Sequence, residues 1–244
     1  MHRRAHDIWS DMSKRHIRKS YCTVTGLKAS RRAGRMVEFE SPLERDLISI
    51  MEFSPIVETF EEQPLTIRWV DAAGKEHPYT PDFLIQFRGQ RFLRKGSTAK
   101  PWLVEVKPQK RLAEQWDELR DRFRAAVAEA SRRGWLFRIL TDREIRTPYL
   151  RNIAFLQCAR NIDADETFRS RIVSLLKVGP STLALILDNV AADGTLRPIA
   201  LAQIWKMVPR AELVTDLTLP LSMASEFSLA KPEVGYDLRE SPPG

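Results

Sequence analysis

The chain has 244 residues, a formal net charge of +7 and a hydrophobic fraction of 43%, which is an ordinary globular composition. No apolar run approaches the roughly 20 residues that a membrane-spanning helix needs, and the first residues do not lead into the apolar centre of a signal peptide. The two cysteines, Cys22 and Cys158, lie far apart without partners at metal-ligand spacing. We therefore expect a soluble, cytoplasmic protein with no membrane partner, reduced thiols and no zinc site.

Positive charge is concentrated at one end of the chain. Residues 1–36 contain ten Lys or Arg residues and two acidic residues, whereas the remainder is close to neutral. A basic N-terminal arm on a near-neutral body favours contacts with nucleic-acid phosphates, which hold nucleic acid without distinguishing its sequence. A merely solvated arm has the same composition, so charge alone leaves both interpretations open.

The first helix is predicted to begin at Ser41. Serine at the N-cap, Pro42 at the first helical position and Glu44 at the third are typical of a helix start, and the helix should run to about Phe53. The simplest interpretation of the next part is a meander of three strands. They are predicted at 65–70, 79–87 and 102–107.

The most regular helical pattern lies between residues 110 and 133. Its apolar residues recur every three or four positions, and Gly134 follows as a C-terminal stop. Residues 135–140 have strand character again, so strand, long helix and strand predict a parallel crossover on a sheet that begins as antiparallel. These elements predict a mixed α/β domain over residues 37–147.

Beyond residue 147 the pattern changes to short helices and a small hairpin. The helices are predicted at 149–160, 165–177, 181–191 and 198–207. Two β-branched segments follow at about 213–219 and 225–229. This order favours a winged-helix-like domain over residues 148–230, and residues 231–244 are predicted to be a flexible tail.

Two neighbouring predicted strands carry the residues that indicate chemistry. Asp82 follows Thr80-Pro81, and Glu105 and Lys107 lie two residues apart on the next strand. Side chains alternate faces along a strand, so Glu105 and Lys107 point the same way and can converge with Asp82. Two carboxylates suit Mg²⁺, which takes hard oxygen ligands and keeps several positions for water and phosphate. Mn²⁺ is expected to substitute for Mg²⁺.

Lys107 and Glu44 complete the predicted site. A lysine ammonium can hydrogen-bond the attacking water or neutralise charge that develops on a phosphate. Glu44 precedes Leu47 and Ile48 by three and four residues and therefore projects near the inward face of its helix. If it reaches the same cluster, Glu44 can bind a second ion that helps to stabilise the attacking and leaving oxygens of a phosphodiester.

Each of these residues also has a structural interpretation. Asp82 alone can cap a turn, and Glu105 with Lys107 can form an exposed ion pair. Glu44 can satisfy the N-cap amide in a capping box, a role that need not exclude catalysis. The combined order of helix Glu, strand Asp, strand Glu-x-Lys and amphipathic helix favours the catalytic interpretation. It predicts three acidic metal ligands and one catalytic lysine: Glu44, Asp82, Glu105 and Lys107.

A family resemblance rests on four motifs: Ser41-Pro42-Leu43-Glu44, Glu62-Gln63-Pro64, Tyr79-Thr80-Pro81-Asp82-Phe83 and Glu105-Val106-Lys107-Pro108. They resemble the TnsA family of the PD-(D/E)xK, or restriction-endonuclease-like, superfamily. The resemblance covers most of the chain outside the arm and the tail. It implies an α/β fold: a restriction-endonuclease-like mixed sheet flanked by helices, followed by a small, mainly helical winged-helix-like domain. It implies the same catalytic positions that the residue pattern indicates.

The resemblance also implies a function and partners. In that family the protein is the endonuclease subunit of a heteromeric transposase and nicks double-stranded DNA at the 5′ ends of a transposon. A separate DDE-type transposase cuts and joins the 3′ ends, and an ATP-dependent regulator connects excision to target choice. Some systems choose the target through a CRISPR effector. We therefore expect a prokaryotic cytoplasmic protein that is associated with the nucleoid when active.

Other function classes differ in what they require of the site. A stand-alone nuclease, such as a restriction enzyme or junction resolvase, would use the same four residues without partners. A non-catalytic DNA-binding protein would have a broken site, and none of the four positions is broken. A small-molecule enzyme is the weakest alternative, because the chain has no phosphate-binding glycine loop, nucleophile elbow or cofactor motif.

Three further features have two interpretations each. His77 can contact phosphate or be polar surface, and Lys110 and Arg111 can contact the DNA backbone or be solvated. The segment 197–207 can be a DNA-recognition helix, but its apolar content favours a core element or a protein-binding surface. It carries three polar or amphipathic side chains of interest: Gln203, Trp205 and Lys206.

Overall fold

The computed structural model describes residues 24–88 and 100–230. The chain divides into two compact units. Among the described residues, the first comprises 24–45, 59–86 and 100–139, and the second comprises 46–58, 87–88 and 140–230. Within the described ranges, no helix is both long and apolar enough to cross a membrane. The arm up to residue 23 and the tail over residues 231–244 lie outside the described residues.

The N-terminal part of the chain contains eight strands and three helices among its described residues. In chain order the elements are β1 (Gly26–Ser30), β2 (Arg35–Phe39), α1 (Pro42–Phe53), β3 (Val57–Glu62), β4 (Ile67–Val70), β5 (Glu76–Tyr79), β6 (Phe83–Phe87), β7 (Trp102–Val106), α2 (Gln109–Glu114), α3 (Trp116–Arg132) and β8 (Leu136–Leu140). Four strands form a central sheet in the order β3-β6-β7-β8. The pairs β1–β2 and β4–β5 are separate antiparallel hairpins. The architecture is the mixed α/β fold that the sequence predicts.

The core of the first unit lies between α3, the central sheet and the hairpin β4–β5. All five residues of β7 are buried, as expected for a strand covered on both faces. One face of α3 buries four apolar residues at helical spacing: Leu119, Phe123, Ala126 and Ala130. These side chains pack in one cluster with Leu103 of β7 and with Ile67 and Tyr79 of the hairpin.

Several sequence predictions are confirmed closely. The first helix begins at Pro42 and ends at Phe53, and β7 occupies most of the predicted strand 102–107. Gly134 has a φ of +76°, which is the left-handed conformation that a residue just past a helix end often adopts. β8 lies beside β7 in the sheet, where the strand–helix–strand pattern predicts it.

The predicted strand 79–87 is wrong as a single element. Its first residue ends β5, which pairs with β4, whereas residues 83–87 form β6, which pairs antiparallel with β7. The chain changes sheets at Thr80, Pro81 and Asp82, because Pro81 has no N–H to continue a ladder. The predicted three-strand meander is therefore wrong, and the central sheet instead includes β3, which the sequence pattern did not indicate.

Part of the predicted N-terminal arm is folded. β1 and β2 pair antiparallel from Gly26 opposite Phe39 to Ser30 opposite Arg35. Arg35 also forms a bidentate ion pair with Glu62 at the end of β3. Arg35, a basic residue that the sequence assigns to the arm, therefore makes an internal contact.

The long helix predicted over residues 110–133 is interrupted. Gln115 has φ −109° and ψ 13°, which separates α2 from α3. α2 buries no residue fully and packs on the core cluster through the partly buried Leu112, whereas α3 buries four residues. A continuous apolar period cannot distinguish these two cases.

The C-terminal part contains short helices and a small sheet. Its elements are α4 (Asp142–Ile145), α5 (Pro148–Ala159), α6 (Glu166–Leu176), β9 (Ser181–Thr182), α7 (Leu183–Val190), α8 (Arg197–Met207), β10 (Leu213–Val214) and β11 (Glu226–Leu229). The strands form an antiparallel sheet in the order β10-β11-β9, and α6, α7 and α8 pack on one another. Helix, strand, helix, helix, strand, strand, with the last strand in the middle, is the winged-helix order. The strands are shorter than predicted.

Candidate active site

Asp82 is fixed between two strands at the start of β6. Its backbone N–H donates to the Val104 carbonyl at 3.0 Å, and its own carbonyl accepts from the Gln63 N–H at 2.8 Å. Its carboxylate Oδ2 accepts from the backbone N–H of Val106 at 2.6 Å. The side chain therefore reaches across to β7 rather than capping a turn.

Glu105 and Lys107 form a largely buried ion pair on β7. Lys107 Nζ lies 3.1 Å from Glu105 Oε1, and the two side chains are only 19% and 6% exposed. The interpretation as an exposed ion pair is therefore wrong. Because Val106 lies between them and binds Asp82, Glu105 and Lys107 are brought next to Asp82 as the alternation of a strand predicts.

Glu44 caps the start of α1 through Ser41 and Glu40, and its carboxylate accepts from the Glu40 N–H in place of the predicted N-cap amide of Ser41. Its Oε1 accepts from the Ser41 hydroxyl at 2.7 Å, and its backbone N–H donates to Ser41 Oγ at 3.2 Å. Its Oε2 accepts from the backbone N–H of Glu40 at 2.7 Å, one residue before the N-cap. The capping role is thus present, and a role for Glu44 in binding a metal ion stays a prediction.

The carboxylates of the site repel one another. Burial raises the pKa of Asp82 well above its usual value, and the nearby charges of Glu105 and Glu44 raise it further. Burial likewise raises the pKa of Glu44, against the hydrogen bonds from Glu40 and Ser41 that lower it. A group of acids held together at this cost has an excess of negative charge that a divalent cation relieves.

The donor set is compatible with magnesium, although it is not a closed cage. Among the described residues, no group of three or more His, Cys, Asp and Glu side chains is positioned to hold a metal ion by itself. Mg²⁺ commonly uses one or two protein carboxylates and completes its shell with water and phosphate oxygens. Asp82 and Glu105 provide that number, and their mutual repulsion is the feature of this structure that fits such an ion.

Three residues that were not predicted to be part of the site also contact it. Tyr79 donates its hydroxyl to Glu105 Oε2 at 2.7 Å, and Arg122 Nη2 lies 3.6 Å from Glu105 Oε1. Gln63 binds the Asp82 carbonyl through its backbone N–H and binds Glu40 Oε1 through its side chain at 3.0 Å. Tyr79 and Gln63 belong to motifs that carry the family resemblance, whereas nothing in the sequence distinguishes Arg122 from its neighbouring arginines.

The other residues considered from the sequence lie elsewhere. His77 Nε2 lies 2.7 Å from Asp71 Oδ2, and its ring stacks on Trp69 with centroids 5.0 Å apart. His77 therefore contacts residues of the hairpin β4–β5 and its turn. Lys110 and Arg111 are exposed on α2, where contact with a DNA backbone stays a prediction.

The helix α8 uses its polar side chains inside its own unit. Gln203 is buried and binds the Asp163 carbonyl at 2.8 Å and the Asp165 N–H at 3.1 Å. Lys206 is also buried and donates to the Ile162 carbonyl. Trp205 packs on the rings of two aromatic side chains: Phe155 and Phe227. None of these three is available to bind DNA bases, so the core interpretation of this helix is confirmed for them.

A known protein family matches the segment that carries most of these residues. The model of the TnsA-like endonuclease N-terminal family matches residues 54–142. The matched segment contains Asp82, Glu105 and Lys107, as well as Tyr79 and Arg122. No curated protein matches the chain.

Proposed function

Since residues 54–142 match the model of the TnsA-like endonuclease N-terminal family, we propose that this chain is the Mg²⁺-dependent endonuclease subunit of a heteromeric transposase. It hydrolyses phosphodiesters at the 5′ ends of a transposon during cut-and-paste transposition. The observation that carries the proposal is the convergence of Asp82, Glu105 and Lys107 inside the matched segment, with carboxylates that repel one another.

The residues divide the chemistry between binding a cation and managing charge. Asp82 and Glu105 would hold Mg²⁺, which when bound polarises the scissile phosphate and lowers the pKa of a coordinated water. Lys107 places its ammonium beside these acids, with Nζ 3.1 Å from Glu105 Oε1. Its ammonium donates hydrogen bonds to the attacking water or balances the charge that develops on the phosphate. Glu44 contributes negative charge at the edge of the cluster and shapes the helix start through its cap.

The partners of this activity are a DDE-type transposase for the 3′ strands and an ATP-dependent regulator. The support for them is the match of residues 54–142 to the TnsA-like endonuclease family. A stand-alone nuclease is the competing function, and it would use the same active-site residues. The two functions differ in whether purified chain cuts DNA by itself.

The test is strand-specific cleavage of DNA that carries the ends of the element encoding this chain, with Mg²⁺, the cognate transposase and the regulator. Wild type is compared with Asp82→Asn and Lys107→Ala, and with Glu114→Gln as a matched control that changes an exposed acid on α2. We expect 5′ nicking to disappear in the two site variants while 3′ cutting and the control remain at wild-type rates.

Two results would contradict this proposal in different ways. Wild-type 5′ nicking by both site variants would show that the catalytic residues lie elsewhere. Efficient cutting by the wild-type chain without any partner would favour the stand-alone nuclease.

Loss of 5′ nicking when Mg²⁺ is removed, with recovery in Mn²⁺, is the expected metal dependence.

A further inference from the structure

Three side chains contact the carboxylate of Glu105, one at Oε2 and two at Oε1. Oε2 accepts the hydroxyl hydrogen of Tyr79 at 2.7 Å. Oε1 faces two cations, with Lys107 Nζ at 3.1 Å and Arg122 Nη2 at 3.6 Å. Since Glu105 is 5% exposed, water does little to screen these contacts, and the carboxylate is fixed in one orientation.

Tyr79 can only be a hydrogen-bond donor in this setting. Its ring is buried in the core cluster with Phe123, and its hydroxyl points at a carboxylate that accepts. Fixing Oε2 leaves Oε1 as the oxygen that faces the cationic side of the site. Tyr79 thus determines which oxygen of Glu105 faces Lys107 and Arg122.

Arg122 is held by packing more than by paired hydrogen bonds. Its guanidinium carbon lies 5.2 Å from the centroid of the Tyr79 ring and 5.4 Å from that of Phe123, which places the charge against aromatic rings. Its Nε is buried and has no hydrogen-bond partner among the described residues. Phe123, the next residue on α3, is anchored in the core, so the backbone at Arg122 is held in place.

From these contacts we infer that Arg122 and Tyr79 are positioning residues with opposite effects on cation binding. Arg122 places a permanent positive charge beside Glu105 and so lowers the affinity of the acids for a divalent cation. Tyr79 orients Glu105 and so raises that affinity. The inference rests on the proposed function, because the cation site is the one formed by Asp82 and Glu105.

The experiment measures Mn²⁺ binding by the full chain without DNA, with the free ion quantified by electron paramagnetic resonance. We expect Arg122→Met, which keeps contact with the two rings, to bind Mn²⁺ about 10-fold more tightly, because a positive charge about 4 Å from a carboxylate is removed. Arg122→Lys keeps the charge and should bind within about 2-fold of wild type. Tyr79→Phe should bind about 5-fold more weakly, because one oriented hydrogen bond to a charged group is lost.

Two controls separate this effect from general damage. Arg124→Met removes an arginine from the same helix whose side chain is 71% exposed and pairs with Asp121, and it should leave Mn²⁺ binding unchanged. A cooperative thermal unfolding transition establishes that each variant folds. If Arg122→Met does not fold, Arg122→Gln replaces it as the variant that removes the charge. A purely structural role for Arg122 predicts weaker binding in all of its variants, not tighter binding.

The outcomes separate the inference from the proposed function. Unchanged or weaker Mn²⁺ binding in the charge-removing variants of Arg122, or unchanged binding in Tyr79→Phe, overturns the inference while the metal site stands. Wild-type chain that shows no binding sensitive to Asp82→Asn overturns the metal-dependent function and the inference together. The inference is supported by tighter Mn²⁺ binding in the charge-removing variants of Arg122, binding close to wild type in Arg122→Lys, and weaker binding in Tyr79→Phe.

Discussion

The two units of this protein both bury polar side chains, but they satisfy them in different ways. In the C-terminal unit, Asn152 donates to the carbonyls of Leu217 and Leu219 at 2.9 and 2.8 Å, and Gln203 is equally well paired. In the N-terminal unit, Asp82 is held beside other acids, with its pKa raised by burial and by their charge. Paired polar groups stabilise a fold, whereas a strained group of like charges indicates a site that awaits a ligand.

The largest expected effect of this difference is at Asp82. Asp82→Asn keeps an oxygen that can accept from the Val106 N–H but removes one of the repelling charges. We expect single-turnover 5′ nicking to fall by at least about 1000-fold, because a metal ligand supplies several kcal/mol of transition-state stabilisation. The thermal midpoint should be equal to or above that of wild type. A marked loss of stability would mean that Asp82 is a structural residue like Asn152.

The matching change in the C-terminal unit should have the opposite profile. Asn152→Ala leaves the carbonyls of Leu217 and Leu219 without this donor, and the hydrogen bond to Leu217 is buried. We expect the change to lower the free energy of unfolding by about 2–3 kcal/mol. Urea denaturation measures this loss. Asn189→Ala removes an exposed amide that binds the Leu185 carbonyl, and this control should cost less than about 1 kcal/mol. If the folded Asn152→Ala chain nicks DNA far more slowly, then the division between the two kinds of burial is wrong.

A smaller effect is expected at Gln63, which hydrogen-bonds both Glu40 and Asp82. Its side chain binds Glu40, its N–H binds the Asp82 carbonyl, and its φ of 48° is in the left-handed region. Gln63→Gly loses the side-chain bond but removes the backbone strain, so its stability should change by less than about 1 kcal/mol. Nicking should still slow by about 10-fold because the site is less well positioned. Equal rates for Gln63→Gly and wild type would show that this connection is dispensable.

The smallest effect is expected at Glu129, which forms ion pairs with Arg132 and Arg133 on the surface of α3. Arg132 and Arg133 hydrogen-bond Glu129 and lower its pKa to about 2. A pKa lowered by folding contributes stability above the ordinary value near 4.5, and this contribution is lost as the pH falls toward 2. Glu129→Gln should cost less than about 1 kcal/mol at neutral pH, since these ion pairs are solvent-exposed. Denaturation curves at several pH values should show wild type and variant converging in acid.

The sequence predicted the fold best where a local rule governs one element. The cap, proline and glutamate at the start of α1 have direct physical consequences within one helical turn, and β7 is a compact apolar strand ended by Pro108. The change of sheets at Thr80–Asp82 was not predicted, because a proline can lie within an edge strand, as Pro78 does in β5, as well as between two strands. The interruption at Gln115 is equally hidden, since glutamine is a good helix former.

The site was predicted where chemistry follows from strand alternation and was missed where it depends on packing. Glu105 and Lys107 share a face because of the two-residue period of β7, and Asp82 joins them through the neighbouring strand. Arg122 arrives from α3, a helix with several arginines that are equivalent in the sequence. Only the packing of Phe123 into the core determines which of them faces Glu105.

The most direct test of the central claim is an anomalous-scattering experiment on crystals of the chain soaked in Mn²⁺. A Mn²⁺ ion bound to both Asp82 and Glu105, and absent from crystals of Asp82→Asn, is the predicted result. A well-occupied ion elsewhere in the first unit, or no ion at these residues at a Mn²⁺ concentration that supports cleavage, would contradict the assignment of these acids as the metal site.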